Sequence, residues 1–294
     1  MIYKSIIDLI GRTPVLEVEG LYVKLEYFNA SGSVKDRAAK WMIEGLESSG
    51  RLRLGDTIVE PTSGNTGISL AMIGAAKGYP VVLVMPETMS VERQTVMKAY
   101  GAKIILTEGK LGMKGAIETA LHLVESEGYV MPSQFDNPDN VRAHEESTAR
   151  EILEDFKTLD YIVSGIGTGG TISGIGKVLK KERPGVKIIG VEPAESPVLT
   201  RNEKGSHGIQ GIGAGFIPAI LDLNIIDEIK TITTADAKVE TKTLAGKGIF
   251  LGISSGAAIK AGKDLVKEHP GKTVLVIAPD GGLKYLSTGV YGND

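Results

Sequence analysis

The 294-residue chain contains no cysteine, which excludes a disulfide scaffold, a thiolate nucleophile, a cysteine-ligated zinc and an iron–sulfur cluster together. An excess of positive charge is also lacking: 33 Lys and Arg stand against 36 Asp and Glu, a formal net charge of −3. With no long Lys/Arg block to grip a phosphate backbone, nucleic acid is not expected as a partner. No apolar run approaches the roughly 20 residues that span a bilayer, and the opening MIYKSIIDLIGRTP lacks a basic leader followed by an apolar core. A cytoplasmic protein without a membrane partner is the expectation. None of the four histidines has H-E-x-x-H spacing, so no metal site is expected. His122 and His269 fall in helical patterns, and His144 and His207 in or near polar loops.

What is present suits two domains, with 42% hydrophobic residues to give each a core. Short Val- and Ile-rich runs alternate with longer amphipathic segments, the pattern of an α/β chain with largely parallel sheets flanked by helices. DTIVEP, YPVVLVMP, AKIILTE, GYVMPS, LDYIVSGIG, VKIIGVEP and KTVLVIAPD read as strands. GISLAMIGAAKG, SVERQTVMKAYG and LGMKGAIETALHLVESEG read as helices ending at Gly. FDNPDNVRAHEE reads as a crossing between domains. This gives a smaller domain over 36–139 and a larger one built from 1–35 and 140–294.

Three features carry chemistry. In NASGSVKDRAAKW, turn formers give way to helix formers at Lys35, where the positive end of the helix dipole opposes an ammonium group. Desolvation and that dipole both lower a lysine pKa from its ordinary value of about 10.4, which suits an amine that must react with an aldehyde. EPTSGNTGISLAMIG runs from a strand into a helix through Thr62, Ser63, Gly64, Asn65, Thr66 and Gly67, whose hydroxyls, amide and N–H groups form a nest for a small carboxylate. SGIGTGGTISGIG is ambiguous. Gly165, Gly167 and Gly170 satisfy G-x-G-x-x-G after a predicted strand, and Glu192 closes the next strand roughly 20 residues on, so a dinucleotide site for NAD competes. Thr168 and Thr171, bracketing two glycines, favour a cup for one terminal phosphate. FLGISSGAAIKAG adds Ser254 and Ser255 at a third strand-to-helix turn. A reactive lysine, a phosphate cup and a carboxylate nest together describe pyridoxal 5'-phosphate.

The chain also resembles the cysteine synthase (O-acetylserine sulfhydrylase) group of the tryptophan synthase β-like, fold type II pyridoxal phosphate enzymes. IGRTPVLEV, NASGSVKDRAA, EPTSGNTGISLA, MPETMSVER, MKAYGA, QFDNPDN, SGIGTGGTISGIG, HGIQGIGAGFIP and GISSGAA carry the resemblance over nearly the whole length. It implies that Lys35 condenses with the cofactor aldehyde and later acts as the base. By the same resemblance Asn65 bonds the phenolic oxygen, while Gly167, Thr168, Gly169, Gly170 and Thr171 hold the phosphate. Ser254 faces the pyridine nitrogen. Thr62, Ser63, Asn65, Thr66 and Gln134 grip the substrate α-carboxylate, and the smaller domain closes upon that contact.

The implied reaction is β-replacement: O-acetyl-L-serine and sulfide become L-cysteine and acetate. O-phosphoserine as substrate calls for a fixed cation, and Gln210–Phe216 has none. Cystathionine β-synthase activity is a further alternative. A NAD-dependent dehydrogenase or a silent binding relative is the reading from another class, and the silent relative would be expected to have lost Lys35, Asn65 or the cup. The resemblance further implies a homodimer and, as a partner, the C-terminal tail of serine acetyltransferase. Departures from the usual pattern are Ala30 in place of proline, STAREI at 147–152, and Leu283 and Lys284 where an acidic residue and arginine are frequent.

Overall fold

The computed structural model describes residues 2–292. In chain order its strands are β1 (Val15–Val18), β2 (Leu21–Leu25), β3 (Ile58–Pro61), β4 (Val81–Pro86), β5 (Lys103–Thr107), β6 (Tyr161–Gly165), β7 (Lys187–Pro193), β8 (Glu228–Ile232) and β9 (Val274–Ala278). Contacts divide the chain into two units. One comprises Met1–Ile10 with Lys35–Asn140, the other Gly11–Val34 with Val141–Asp294. Residues 2–10 thus group with the smaller unit rather than with the larger domain expected for 1–35.

The smaller unit holds a parallel sheet in the order β3-β4-β5. Val59, Val82 and Val84 pack with Ala116 and Ala120 of the Gly112–Glu127 helix. GYVMPS, expected as a strand, makes only one bridge, Val130 opposite Ile58. The reason is local: Pro132 has no N–H to continue a ladder, and Ser133 turns into left-handed backbone at φ +60°. Helices begin or end where the sequence indicates, with Ser90 capping Val91–Ala99, and Gly78 and Gly128 closing their helices in left-handed conformation.

The larger unit carries a six-stranded sheet in the order β1-β2-β9-β6-β7-β8, parallel except for the β1–β2 hairpin. Its core lies on both faces. Val163, Val274 and Val276 join one apolar cluster, while their neighbours Ile162, Leu275 and Ile277 join the other, as the two-residue period of a strand requires. The hairpin turns through Glu19 and Gly20, both at positive φ, the geometry of a two-residue type I′ connection. FDNPDNVRAHEE is not an extended crossing. From Pro138 it is helical through Ala143, followed by a wider π-type turn at His144–Thr148. Proline suits a first helical position, because its missing N–H would have no intrahelical partner there.

Candidate functional site

In the smaller unit, Lys35 opens the Lys35–Ser48 helix and is half-buried. The next residue fixes that helix start: the buried Asp36 carboxylate accepts from the Ser69 hydroxyl at 2.5 Å, and the same hydroxyl lies 3.0 Å from the Asn65 carbonyl. The lysine and the TSGNTG turn are therefore held side by side. That turn leaves β3 with the Thr62 N–H on the Val84 carbonyl and starts the Asn65–Lys77 helix at Gly64 without a side-chain cap. The first-turn N–H groups of an uncapped helix start are donors to an anion. Gly67 sits in a close-packed spot, where a Cβ would lie 2.8 Å from Met97 Cε and 3.2 Å from Thr62 Cγ2, so that a side chain here would require Met97 to shift. Gln134 joins the turn across 68 residues of sequence: the Thr66 hydroxyl donates to Gln134 Oε1 at 2.6 Å.

In the larger unit, Gly167–Thr171 links β6 to the Gly170–Glu182 helix, whose N-cap, Gly169 at φ +89°, likewise offers no side-chain cap. The shape is that of a cradle. A Cβ on Gly167 would meet the Gly211 carbonyl oxygen at 2.4 Å, and one on Gly169 would meet Leu221 Cβ at 2.7 Å. Buried Thr168 and half-buried Thr171 flank the turn. Ser254, buried in the first turn of the Ile253–Glu268 helix, joins them through Gly211, whose built Cβ lies 3.7 Å from Ser254 Oγ. Helix-start N–H groups, the Thr168 and Thr171 hydroxyls and no carboxylate among these cup residues fit a phosphate monoester.

Two contacts lie beyond the sequence reading. His144 is buried rather than in a polar loop, with Nδ1 2.8 Å from the Thr148 hydroxyl and Nε2 3.2 Å from that of Thr171. Only its place in a helix facing the cup reveals it. Lys284, noted as a departure, donates to the carbonyls of Ser31 and Gly32 at 3.2 and 3.3 Å, in the loop that precedes Lys35. That loop is also held by Asn29, which accepts from the Gly11 N–H at 2.8 Å and donates to Glu26 Oε2 at 2.8 Å. Among the described residues no group of three or more His, Asp or Glu is arranged to hold a metal ion, and no helix is long and apolar enough to cross a membrane.

Parallel sheets whose strands turn into helix starts without side-chain caps, with a lysine opening a helix beside one of those turns, are the features expected of an enzyme scaffold for a phosphorylated aldehyde cofactor. The chain belongs to the pyridoxal-phosphate dependent enzyme family, whose description matches residues 6–280. It is thus an enzyme of fold type II and its cofactor is pyridoxal phosphate. A cysteine synthase of Staphylococcus aureus is 51% identical over 99% of this chain and 97% of its own length. The crystal structure of a cysteine synthase (OASS) from Entamoeba histolytica superposes with a TM-score of 0.97 at 47% identity, covering 100% of this chain and 92% of that one. An O-acetylserine dependent cystathionine β-synthase from Helicobacter pylori superposes with a TM-score of 0.93 at 40% identity, covering 99% of each chain.

Proposed function

We propose that the protein is a cysteine synthase that converts O-acetyl-L-serine and sulfide to L-cysteine and acetate. The observation that carries this reading is 51% identity to a cysteine synthase over 99% of the chain, in a chain that keeps Lys35 and both anion-binding turns. Pyridoxal phosphate, when bound, supplies an electron-withdrawing ring that eases loss of the Cα proton and of the β-substituent. Gly167, Thr168, Gly169, Gly170 and Thr171 hold its phosphate, Asn65 its phenolic oxygen and Lys35 its aldehyde. Ser254 places a neutral hydroxyl toward the pyridine nitrogen, which a carboxylate would hold protonated. Thr62, Ser63, Asn65, Thr66 and Gln134 orient the substrate carboxylate, and the Lys35 amine takes the Cα proton as acetate leaves. Residues 36–139 form the mobile domain, moving in response to that carboxylate contact.

The acetyl ester is favoured because Gln210–Phe216 itself carries no cation. The fold does bring Lys204 close, with Nζ 3.3 Å from the position of a Cβ on Gly215, so a substrate panel is the direct test. O-acetylserine, O-phosphoserine and serine are each offered with sulfide to the wild type and to Lys35→Ala. Cysteine should form fastest from O-acetylserine and not at all with the variant. Equal output from the variant refutes the assignment. Homocysteine in place of sulfide tests the second reading, cystathionine synthesis, which the Helicobacter pylori relative supports.

The working form is a cytoplasmic homodimer. Supporting this, Met113, Ile117 and Leu121, one turn apart on the Gly112–Glu127 helix, are 37%, 41% and 44% exposed and form an apolar stripe suited to a second copy. A monomeric mass by light scattering overturns it. The C-terminal carboxylate of serine acetyltransferase is the expected ligand in trans of the TSGNTG turn, and its tail peptide should compete with O-acetylserine.

A further inference from the structure

Glu60, in β3, has only 1% of its surface exposed. Its two oxygens accept consecutive backbone N–H groups, Ser133 on Oε2 at 2.9 Å and Gln134 on Oε1 at 3.0 Å. Consecutive N–H groups converge on one anion only where the backbone is bent, and Ser133 supplies the bend at φ +60°, a conformation that costs a non-glycine residue free energy. Gln134 is then held at two further points, and the turn before it at a third. Its carbonyl accepts from Asn140 Nδ2 at 2.8 Å, its side-chain oxygen accepts from the Thr66 hydroxyl at 2.6 Å, and the Asn137 N–H closes the turn on the Ser133 carbonyl at 2.9 Å. With its amide oxygen engaged, Gln134 has its side-chain N–H groups to offer a carboxylate.

A buried carboxylate is a costly choice for this position. Burial pushes Glu60 up to about 7, although the N–H groups of Gln134 and Ser133 pull it down; the nearby Asp136 charge adds to the rise. No apolar side chain could satisfy two buried N–H groups, and glutamine would point its own NH2 at one of them. Ionised glutamate, an acceptor at both oxygens, meets both.

We propose that Glu60 is a positioning residue for substrate recognition: by holding the Ser133 and Gln134 N–H groups it aims the Gln134 amide at the α-carboxylate of the amino-acid substrate. This rests on the reading of Gln134 as a carboxylate contact, and the test separates the two. Pyridoxal phosphate-loaded wild type, Glu60→Gln, Gln134→Ala and the double variant are compared in KM and kcat for O-acetylserine and in Kd for L-alanine, which has the carboxylate but no leaving group. Each single change should raise KM and Kd about tenfold with kcat within about twofold, and the double variant should be no worse than the weaker-binding single one. Glu60→Asp, which keeps the charge but is one methylene shorter, should raise Kd by about threefold or more and serves where Glu60→Gln yields no folded protein.

If the Glu60 change multiplies Kd by the same factor with or without the Gln134 side chain, Glu60 is only a stabilising group and the proposal fails. It fails too if Gln134→Ala weakens binding and the Glu60 variants do not, and there the reading of Gln134 survives. Unchanged binding in Gln134→Ala rejects that reading and the proposal with it.

Discussion

Replacing Glu60 by glutamine should also alter how stability depends on pH. The folded protein raises this carboxyl from an ordinary 4.5 to about 7, chiefly by burial. At about 1.4 kcal/mol per pH unit, the ionised form is disfavoured by about 3 kcal/mol relative to the unfolded chain. Between those two values the folded state keeps a proton that the unfolded state has released. The associated stability is therefore fully present below pH 4.5 and is lost as pH rises through about 7. Asp136 is the charged neighbour that adds to the rise, and both proteins keep it. The assay is urea unfolding of wild type and Glu60→Gln at pH 5, 6, 7 and 8, at one fixed pyridoxal phosphate concentration. From pH 5 to 8 the wild type should lose about 2–3 kcal/mol more than the variant, roughly 5 °C in melting temperature for a chain of this size. Parallel curves, constant in separation to within about 0.5 kcal/mol, would mean that Glu60 is ionised across the range and that the two N–H donors outweigh its desolvation.

Gly167→Ala should weaken pyridoxal phosphate binding by about tenfold or more, because the new Cβ would lie 2.4 Å from the Gly211 carbonyl oxygen; Gly185→Ala, with nothing within 4 Å, should change nothing, and equal affinities in a fluorescence titration would refute the cradle. Lys24 is fully buried, with Nζ 2.9 Å from both the Thr13 carbonyl and Glu151. Lys24→Met should cost about 3–5 kcal/mol in chemical denaturation by leaving Glu151 without that cation, and a loss below about 1 kcal/mol would count against it. Lys284→Met should lower kcat a few-fold through loosening of the Ser31–Gly32 loop while leaving stability within about 1 kcal/mol; unchanged kcat would refute a role for this contact in holding the loop.

The strands legible in the sequence are those whose burial is continuous. β4 and β9 are buried at every position and read as unbroken apolar runs, the mark of a strand covered on both faces. β1 and β8, the two edges of the six-stranded sheet, are largely half-buried or exposed, and their interspersed charges hide them. β2 is concealed for another reason. Its Lys24 interrupts the run LYVKL, and only the fold shows that lysine buried on Glu151. The smaller-unit segment GYVMPS misleads in the opposite direction, since an apolar run says nothing of the proline and the left-handed serine that end it after one bridge.

The same division runs through the candidate site. Turn chemistry is local, so TSGNTG, GTGG and the lysine at a helix start can be read from adjacent residues. What holds those turns is not local. Gln134 reaches Thr66 across 68 residues, and Glu60 reaches Ser133 and Gln134 across 73 and 74. A buried carboxylate earns no signature in a hydrophobic pattern, because its partners are backbone N–H groups that every residue type except proline possesses. Residue identity therefore reveals which turn can bind an anion, whereas the fold reveals which distant side chain keeps that turn in shape. If the site works as proposed, side chains of this second kind should alter substrate affinity without touching substrate, and Glu60 is the position where that consequence is sharpest.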